Sequence, residues 1–74
     1  MDILAGISGK VVIKKFQSLG YKVARQKGSH VRLTHPKSRI YKPITIPFHK
    51  ELKIGLITQL IKDVNLTIEE FLDL

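Results

Sequence analysis

Apolar residues recur with the period of a helix at both ends of the chain and with the period of a strand in between. Ser8 is a good N-cap, and Val12, Phe16 and Leu19 follow it on one side of a helix. Gly20 supplies a stop, since glycine readily takes the left-handed conformation that ends helices. The pattern therefore predicts a first helix between Ser8 and Gly20.

Two runs that alternate between apolar and polar residues come next, over 21–26 and 29–35. They are separated by Lys27-Gly28, and two residues that include a glycine are typical of a β-hairpin. A third run, over 40–46, is rich in β-branched residues. Pro43 within it indicates an edge strand or a break, because proline cannot donate to a ladder.

After Pro47 the apolar spacing becomes helical again. One stripe is formed by Leu52, Leu56, Ile57, Leu60 and Ile61. Asn65 can end this helix, and Thr67–Glu70 has the sequence of a capping box that starts a short terminal helix. The predicted order is αβββαα, an α+β two-layer sandwich with a three-stranded antiparallel sheet and its helices on one face. With 74 residues, the chain is long enough for a single domain, 1–74.

Alternation also predicts which residues lie on each face of the sheet. Val31 and Leu33 point to the helices, so His30, Arg32 and Thr34 point outward. Residues expected to face the helices are Val23, Val31, Leu33, Ile44 and Ile46. Residues expected on the outer face are Lys22, Ala24, Gln26, His30, Arg32, Thr34, Tyr41 and Thr45. The outer face is therefore predicted to be polar and suited to contact.

The charge is +7, and its distribution is uneven. No acidic residue occurs from Ile3 to Lys50, a stretch with eleven cations: Lys10, Lys14, Lys15, Lys22, Arg25, Lys27, Arg32, Lys37, Arg39, Lys42 and Lys50. Such a surface favours a polyanion partner, most commonly nucleic acid. The alternative is a solvated basic surface that aids solubility.

The chain has no cysteine, which excludes disulfides, thiolate metal sites and cysteine nucleophiles. The apolar run from Ile3 to Ile7 is too short for a signal peptide or a membrane helix and has no basic stretch before it. We therefore expect a cytoplasmic protein.

Three histidines are the only candidates for proton transfer near neutral pH in the basic stretch. His30 and His35 are an odd number of residues apart on one strand, so they leave opposite faces, and His49 alone cannot complete a zinc site. No metal is expected. A Ser-His-Asp triad is equally disfavoured, because Ser29 and His30 diverge across the pleat and no acid is near in sequence.

One hydrolytic reaction needs neither a metal nor a protein nucleophile, namely cleavage of RNA by its own 2′-hydroxyl. The protein then has only to position the phosphate, move protons and stabilise developing charge. His30 lies just after the predicted turn, and Arg25, Lys27 and Arg32 are expected within reach of the phosphates of a bound RNA. The alternative for His30 is an ordinary exposed strand histidine.

Five segments, in order, resemble the HicA family of type II toxins. They are Ser8-Gly9-Lys10, Leu19-Gly20-Tyr21, Arg25-Gln26-Lys27-Gly28-Ser29-His30, Ile46 to Leu52 with Gly55, and Leu66 to Phe71. The resemblance implies a fold like the double-stranded-RNA-binding domain and a ribosome-independent mRNA interferase that needs no cofactor. It also implies His30 as the catalytic residue and a HicB-like antitoxin as partner. The RNA contact is expected at Lys22, Arg25, Lys27, Gly28, Ser29 and Arg32.

Two other functions fit parts of the pattern. A non-catalytic double-stranded-RNA-binding module shares the αβββα order, but such modules carry a lysine cluster at the start of the last long helix, where this chain has only Lys50 and Lys53. A membrane-surface protein is less favoured, since the core needs the apolar face of the first helix. His35 and His49 are interpreted as turn residues, with an auxiliary RNA contact open to His49. Tyr41 could stack on a base.

Overall fold

A computed structural model describes residues 3–74 of the chain. Its elements are α1 (Gly9–Leu19), β1 (Lys22–Lys27), β2 (His30–Thr34), β3 (Ile44–Pro47), α2 (Ile54–Asp63) and α3 (Ile68–Leu72). This order confirms the predicted αβββαα arrangement. The three strands form one antiparallel sheet with β2 in the centre, so the α+β class is also confirmed.

The core lies between the inner face of the sheet and the helices. Val31 and Leu33 of β2 are buried, as are Ile44 and Ile46 of β3. They belong to the same apolar cluster as the helical residues Val12, Phe16, Ile57, Leu60, Ile61 and Phe71. The predicted inward faces of β2 and β3 are therefore confirmed.

Helix α1 begins and ends as its sequence predicts. The Ser8 hydroxyl accepts a hydrogen bond from the Val11 amide at 3.1 Å. Gly20 has a φ of 116°, and the amide of Tyr21 reaches back to the Phe16 carbonyl. This left-handed residue closes the helix and turns the chain directly into β1.

Helix α2 starts later than its apolar stripe, because Leu52 is buried in the loop that precedes it. Asn65, with a φ of 59°, takes the left-handed position after the helix, and the Leu66 amide donates to the Ile61 carbonyl. Asparagine tolerates this conformation better than most non-glycine residues. The prediction that Asn65 closes the helix is confirmed.

The capping box of α3 is also present. The Thr67 hydroxyl accepts from the Glu70 amide at 3.1 Å, and the Glu70 carboxylate accepts from the Thr67 amide at 2.9 Å. The helix buries Phe71 completely, and Lys15 of α1 donates to the Leu72 carbonyl. The short helix is thus fixed to both the core and α1.

The third strand is shorter than its sequence pattern predicts. It begins at Ile44, directly after Pro43, so the proline acts as the break. Ile40 and Tyr41 lie in the preceding loop. The prediction of a strand over 40–46 with Tyr41 on the outer face is therefore wrong. The β-branched run begins before Pro43, but the ladder of β3 begins only after it.

The start of α1 packs directly against the end of β3. The Gly9 amide donates to the His49 carbonyl at 2.9 Å, and the Leu52 amide donates to the Ile7 carbonyl at 2.8 Å. A β-carbon on Gly9 would overlap the carbonyl oxygen of Pro47. The absence of a side chain at Gly9 therefore permits this contact between backbones.

Substitution of Gly9 tests this contact. We expect Gly9→Ala to destabilise the fold by about 3 kcal/mol, because backbone at the end of β3 must move to admit a methyl group. Gly55→Ala is the matched control, since a β-carbon there meets nothing within 4 Å. Alanine favours a helix by up to about 1 kcal/mol over glycine, so this control should be neutral or stabilising. Urea denaturation of both variants measures the difference, and equal midpoints would contradict the prediction.

Candidate functional site

A β-bulge in β1 decides which cations share a face with His30. Lys22 and Val23 pair with Thr34 and Leu33, but the register then shifts, and Arg25 pairs with Arg32. Ala24 is the extra residue. Directly opposed residues in an antiparallel pair point to the same side, so the bulge places Arg25 on the outer face.

The same shift places Lys27 opposite His30 and Gln26 opposite the buried Val31. The predicted outward position of Gln26 is therefore wrong, because simple alternation counts Ala24 as a paired residue. Val23 does lie opposite the inward Leu33, but its side chain is 47% exposed. It makes no part of the core, since β1 is an edge strand with all six residues exposed.

The outer face carries a shallow depression of about 220 Å³. Its lining residues are Arg25, Lys27, His30, Arg32 and Thr45. Small-molecule pockets usually enclose roughly 300–1,000 Å³, so this site is better suited to a phosphate group on an extended chain than to an enclosed ligand. Thr45 was predicted on this face without a role, and its hydroxyl accepts a hydrogen bond from Arg32 at 3.4 Å.

The cations of the depression have no acidic partner. Within residues 3–74 the single ion pair joins Lys42 to Asp63, outside the depression. In the same part of the chain His30 has an exposed side chain and no hydrogen bond to its imidazole. The site therefore presents a free imidazole beside three uncompensated positive charges, an arrangement suited to an anion.

The hairpin turn next to His30 consists of Gly28-Ser29, one residue later than predicted. Gly28 has a φ of 60°, which favours glycine at the first position of a two-residue turn. The Ser29 carbonyl accepts a hydrogen bond from the Phe48 amide. The turn is thereby attached to the chain that leaves β3.

Not all of the predicted contact residues come together. Arg25, Lys27 and Arg32 line the depression, and Gly28 and Ser29 form the turn beside it. Lys22 faces outward opposite Thr34 at the other end of the hairpin. It lies five residues from Lys27 along β1, or roughly 16 Å at the usual strand rise, and does not line the depression.

His35 has a structural position that its sequence did not reveal. Its side chain is 9% exposed, and its Nδ1 accepts a hydrogen bond from the Lys37 amide at 2.9 Å. Nε2 therefore carries the proton and donates to the Leu19 carbonyl at 3.1 Å. This neutral imidazole joins the loop after β2 to the end of α1, where a β-carbon on Gly20 would press against it. The interpretation as a simple turn residue is incomplete.

Two tyrosines surround His35. The Tyr41 ring lies 4.4 Å from the imidazole and the Tyr21 ring 5.0 Å from it, measured between centroids. Burial, followed by the proximity of Tyr41 and Asp63, raises the pKa of Tyr21 to about 12, and its neutral hydroxyl donates to the Lys42 carbonyl at 2.8 Å. Tyr41 is occupied in this cluster, so it is not a free stacking surface on the sheet.

The remaining histidine, His49, is exposed in the loop after β3. Among residues 3–74, no three histidine or acidic side chains lie close enough together to hold a metal ion. None of the helices in this range is long and apolar enough to span a membrane.

The architecture and charge define a small basic α+β protein that resembles the double-stranded-RNA-binding domain and presents a cationic depression on its open sheet face. Comparison with family models gives a match over residues 9–66 to the HicA toxin of bacterial toxin–antitoxin systems. The match spans most of the chain, and the protein belongs to the HicA toxin family. Membership in a toxin–antitoxin family implies an antitoxin partner. A search of curated proteins returned no match.

Substitution of His35 should destabilise the fold much more than substitution of His30. We expect His35→Ala to lower the free energy of unfolding by at least about 2 kcal/mol, because two hydrogen bonds and ring packing are lost. His30→Ala should change it by less than about 0.5 kcal/mol, since the side chain is exposed and has no partner. Urea denaturation followed by circular dichroism compares them. A large loss of stability in His30→Ala would assign that residue a structural role.

Proposed function

We propose that this HicA-family toxin is a metal-independent endoribonuclease that cleaves mRNA in the cytoplasm, with His30 as its single catalytic histidine. The supporting observation is the exposed, unpartnered imidazole in a depression whose other charged residues, Arg25, Lys27 and Arg32, are all cations. Phosphodiester RNA carries its own nucleophile, so this set of groups is sufficient for cleavage.

The reaction transfers one proton to His30. The neutral imidazole removes the proton from a ribose 2′-hydroxyl, and the 2′-oxygen attacks the adjacent phosphorus. The bond from phosphorus to the 5′-oxygen breaks, and water, which the open depression admits, protonates the leaving oxygen. The hydroxide that remains takes the proton from His30, which returns the imidazole to its neutral form. The products are a 2′,3′-cyclic phosphate and a 5′-hydroxyl end. Arg25, Lys27 and Arg32 stabilise the additional negative charge on the phosphate oxygens in the transition state.

The positions of the side chains support these proposed roles. Arg32 is held by Thr45 on one side of His30, while Lys27 lies opposite His30 across the hairpin. Gly28 and Ser29 allow the RNA backbone to approach closely, because the turn has no bulky side chain. Lys22, which lies outside the depression, contributes only to long-range attraction of the RNA.

The first test is cleavage of a single-stranded RNA by purified protein in EDTA. We expect cleavage to persist, and a strand with 2′-deoxy nucleotides at the cleaved positions to remain intact, because the nucleophile is then absent. His30→Ala should reduce the rate by at least about 100-fold, the usual contribution of a general base.

Arg32→Ala should reduce the rate by about tenfold, because one cation at the phosphate is lost. Its matched control is Arg39→Ala, since Arg39 is an exposed cation in the loop before β3.

Three results would contradict the proposal. Activity that disappears in EDTA and returns with magnesium would indicate a metal mechanism. Full activity in His30→Ala would remove this residue from the chemistry. Binding without cleavage of any RNA would favour the non-catalytic double-stranded-RNA-binding module.

We propose further that a HicB-like antitoxin covers the outer face of the sheet and excludes RNA from His30. Opposite charges across an interface speed association, so the partner should present carboxylates to Arg25, Lys27 and Arg32. Antitoxin should therefore displace labelled RNA from the toxin in a competition titration and raise its melting temperature. A saturated complex that still binds and cuts RNA would show that inhibition does not work by occlusion.

A further inference from the structure

Phe48 is the most exposed aromatic side chain of the protein. The residue is 50% exposed, whereas Phe16, Tyr21 and Phe71 are buried and Tyr41 is packed in the His35 cluster. An exposed ring of this size contributes none of the free energy that its burial in the core would supply. Neither the fold nor the His30 depression assigns it a role.

The backbone holds Phe48 in a defined place. Its amide donates to the Ser29 carbonyl, and the next carbonyl, that of His49, accepts from the Gly9 amide at 2.9 Å. The loop is therefore fixed on one side to the β1–β2 turn and on the other to the start of α1. The ring is presented by a constrained segment, which lowers the entropic cost of using it for binding.

Phe48 lines a second depression, of about 260 Å³. Its lining residues are Ser8, Lys10, Phe48, His49 and Lys50. Lys10 and Lys50 are exposed, and neither has an ion pair in the described chain. An aromatic face between uncompensated cations matches the two parts of a nucleotide, a base that can stack and a phosphate.

This second depression lies at the same end of the sheet as His30, because the Phe48 amide binds the carbonyl of Ser29, the residue before His30. Pro47 pairs directly with His30, and Phe48 is the next residue along the chain. A strand of RNA whose phosphate lies against Arg25, Lys27 and Arg32 can thus continue past the Gly28-Ser29 turn to the Phe48 ring.

We infer that Phe48, with Lys10 and Lys50, forms a second subsite that stacks an unpaired base of the RNA near the scissile phosphate. RNA is favoured over a protein partner as the occupant, because Lys10 and Lys50 line the depression without an acidic partner and attract a polyanion. The inference rests on RNA as the ligand of the proposed function. It adds that the substrate must be single-stranded at this position, since a paired base cannot present its face.

The test measures binding to a short RNA in which every 2′-oxygen is methylated, so that the strand cannot be cleaved. Fluorescence anisotropy compares the wild-type protein with Phe48→Leu, which keeps the apolar character but loses the ring, and with Phe48→Trp. We expect Phe48→Leu to weaken binding by about tenfold and Phe48→Trp to retain it, in line with base–aromatic stacking. Ile40→Ala is the matched control, because Ile40 is 55% exposed but precedes β3, at the opposite end of that strand.

A second series identifies stacking itself. One nucleotide at a time is replaced by an abasic residue, and each strand is titrated against wild-type protein and Phe48→Leu. At the stacked position the missing base should weaken binding to the wild type but have little further effect on Phe48→Leu, since both changes remove the same contact. Lys10→Ala and Lys50→Ala should each reduce the dependence of log affinity on log salt by up to about 0.7 units.

The outcomes separate this inference from the proposed function. Unchanged affinity of correctly folded Phe48→Leu, or equal effects of every abasic position in both proteins, would overturn the stacking subsite even if His30-dependent cleavage is intact. Stacking at Phe48 without cleavage of ordinary RNA would support the subsite and overturn the catalytic role of His30. Loss of antitoxin binding alone in Phe48→Leu would assign the ring to the protein partner instead.

Discussion

The burial of Val31 and Leu33 constrains the rest of the structure. These two residues of the central strand must face the helices, because the core of so small a protein cannot give up two large apolar side chains. The period of two then fixes His30 and Arg32 on the opposite face. Stability and the candidate site are therefore linked within four consecutive residues, and a shift of β2 by one residue would exchange the core with the site.

The bulge at Ala24 completes the site that β2 begins. Without it, strict alternation after Val23 would turn Arg25 and Lys27 away from His30. With it, the outer face gains two cations, while the inward face receives Gln26 at an exposed position.

Elements of this protein with a strong burial pattern or a local cap could be predicted from the sequence, and those without one could not. The caps at Ser8 and Thr67 and the faces of β2 could be predicted, because each depends on local chemistry or on strict alternation. The register of β1 could not, since all its residues are exposed and no burial pattern marks Ala24 as extra. The position of His35 depends on a contact with Leu19, sixteen residues away, which spacing within one element does not reveal.

The acidic residue Glu70 and the cations around His30 have different structural consequences. Glu70 stabilises the start of α3 by binding the Thr67 amide, so this acidic group serves its own helix and does not neutralise the sheet. The cations around His30 remain in repulsion within the fold. Any polyanion that binds there removes this repulsion, and the free energy released favours its binding. RNA and an acidic antitoxin would draw on the same source of affinity, which makes simultaneous binding of both at the outer face unfavourable.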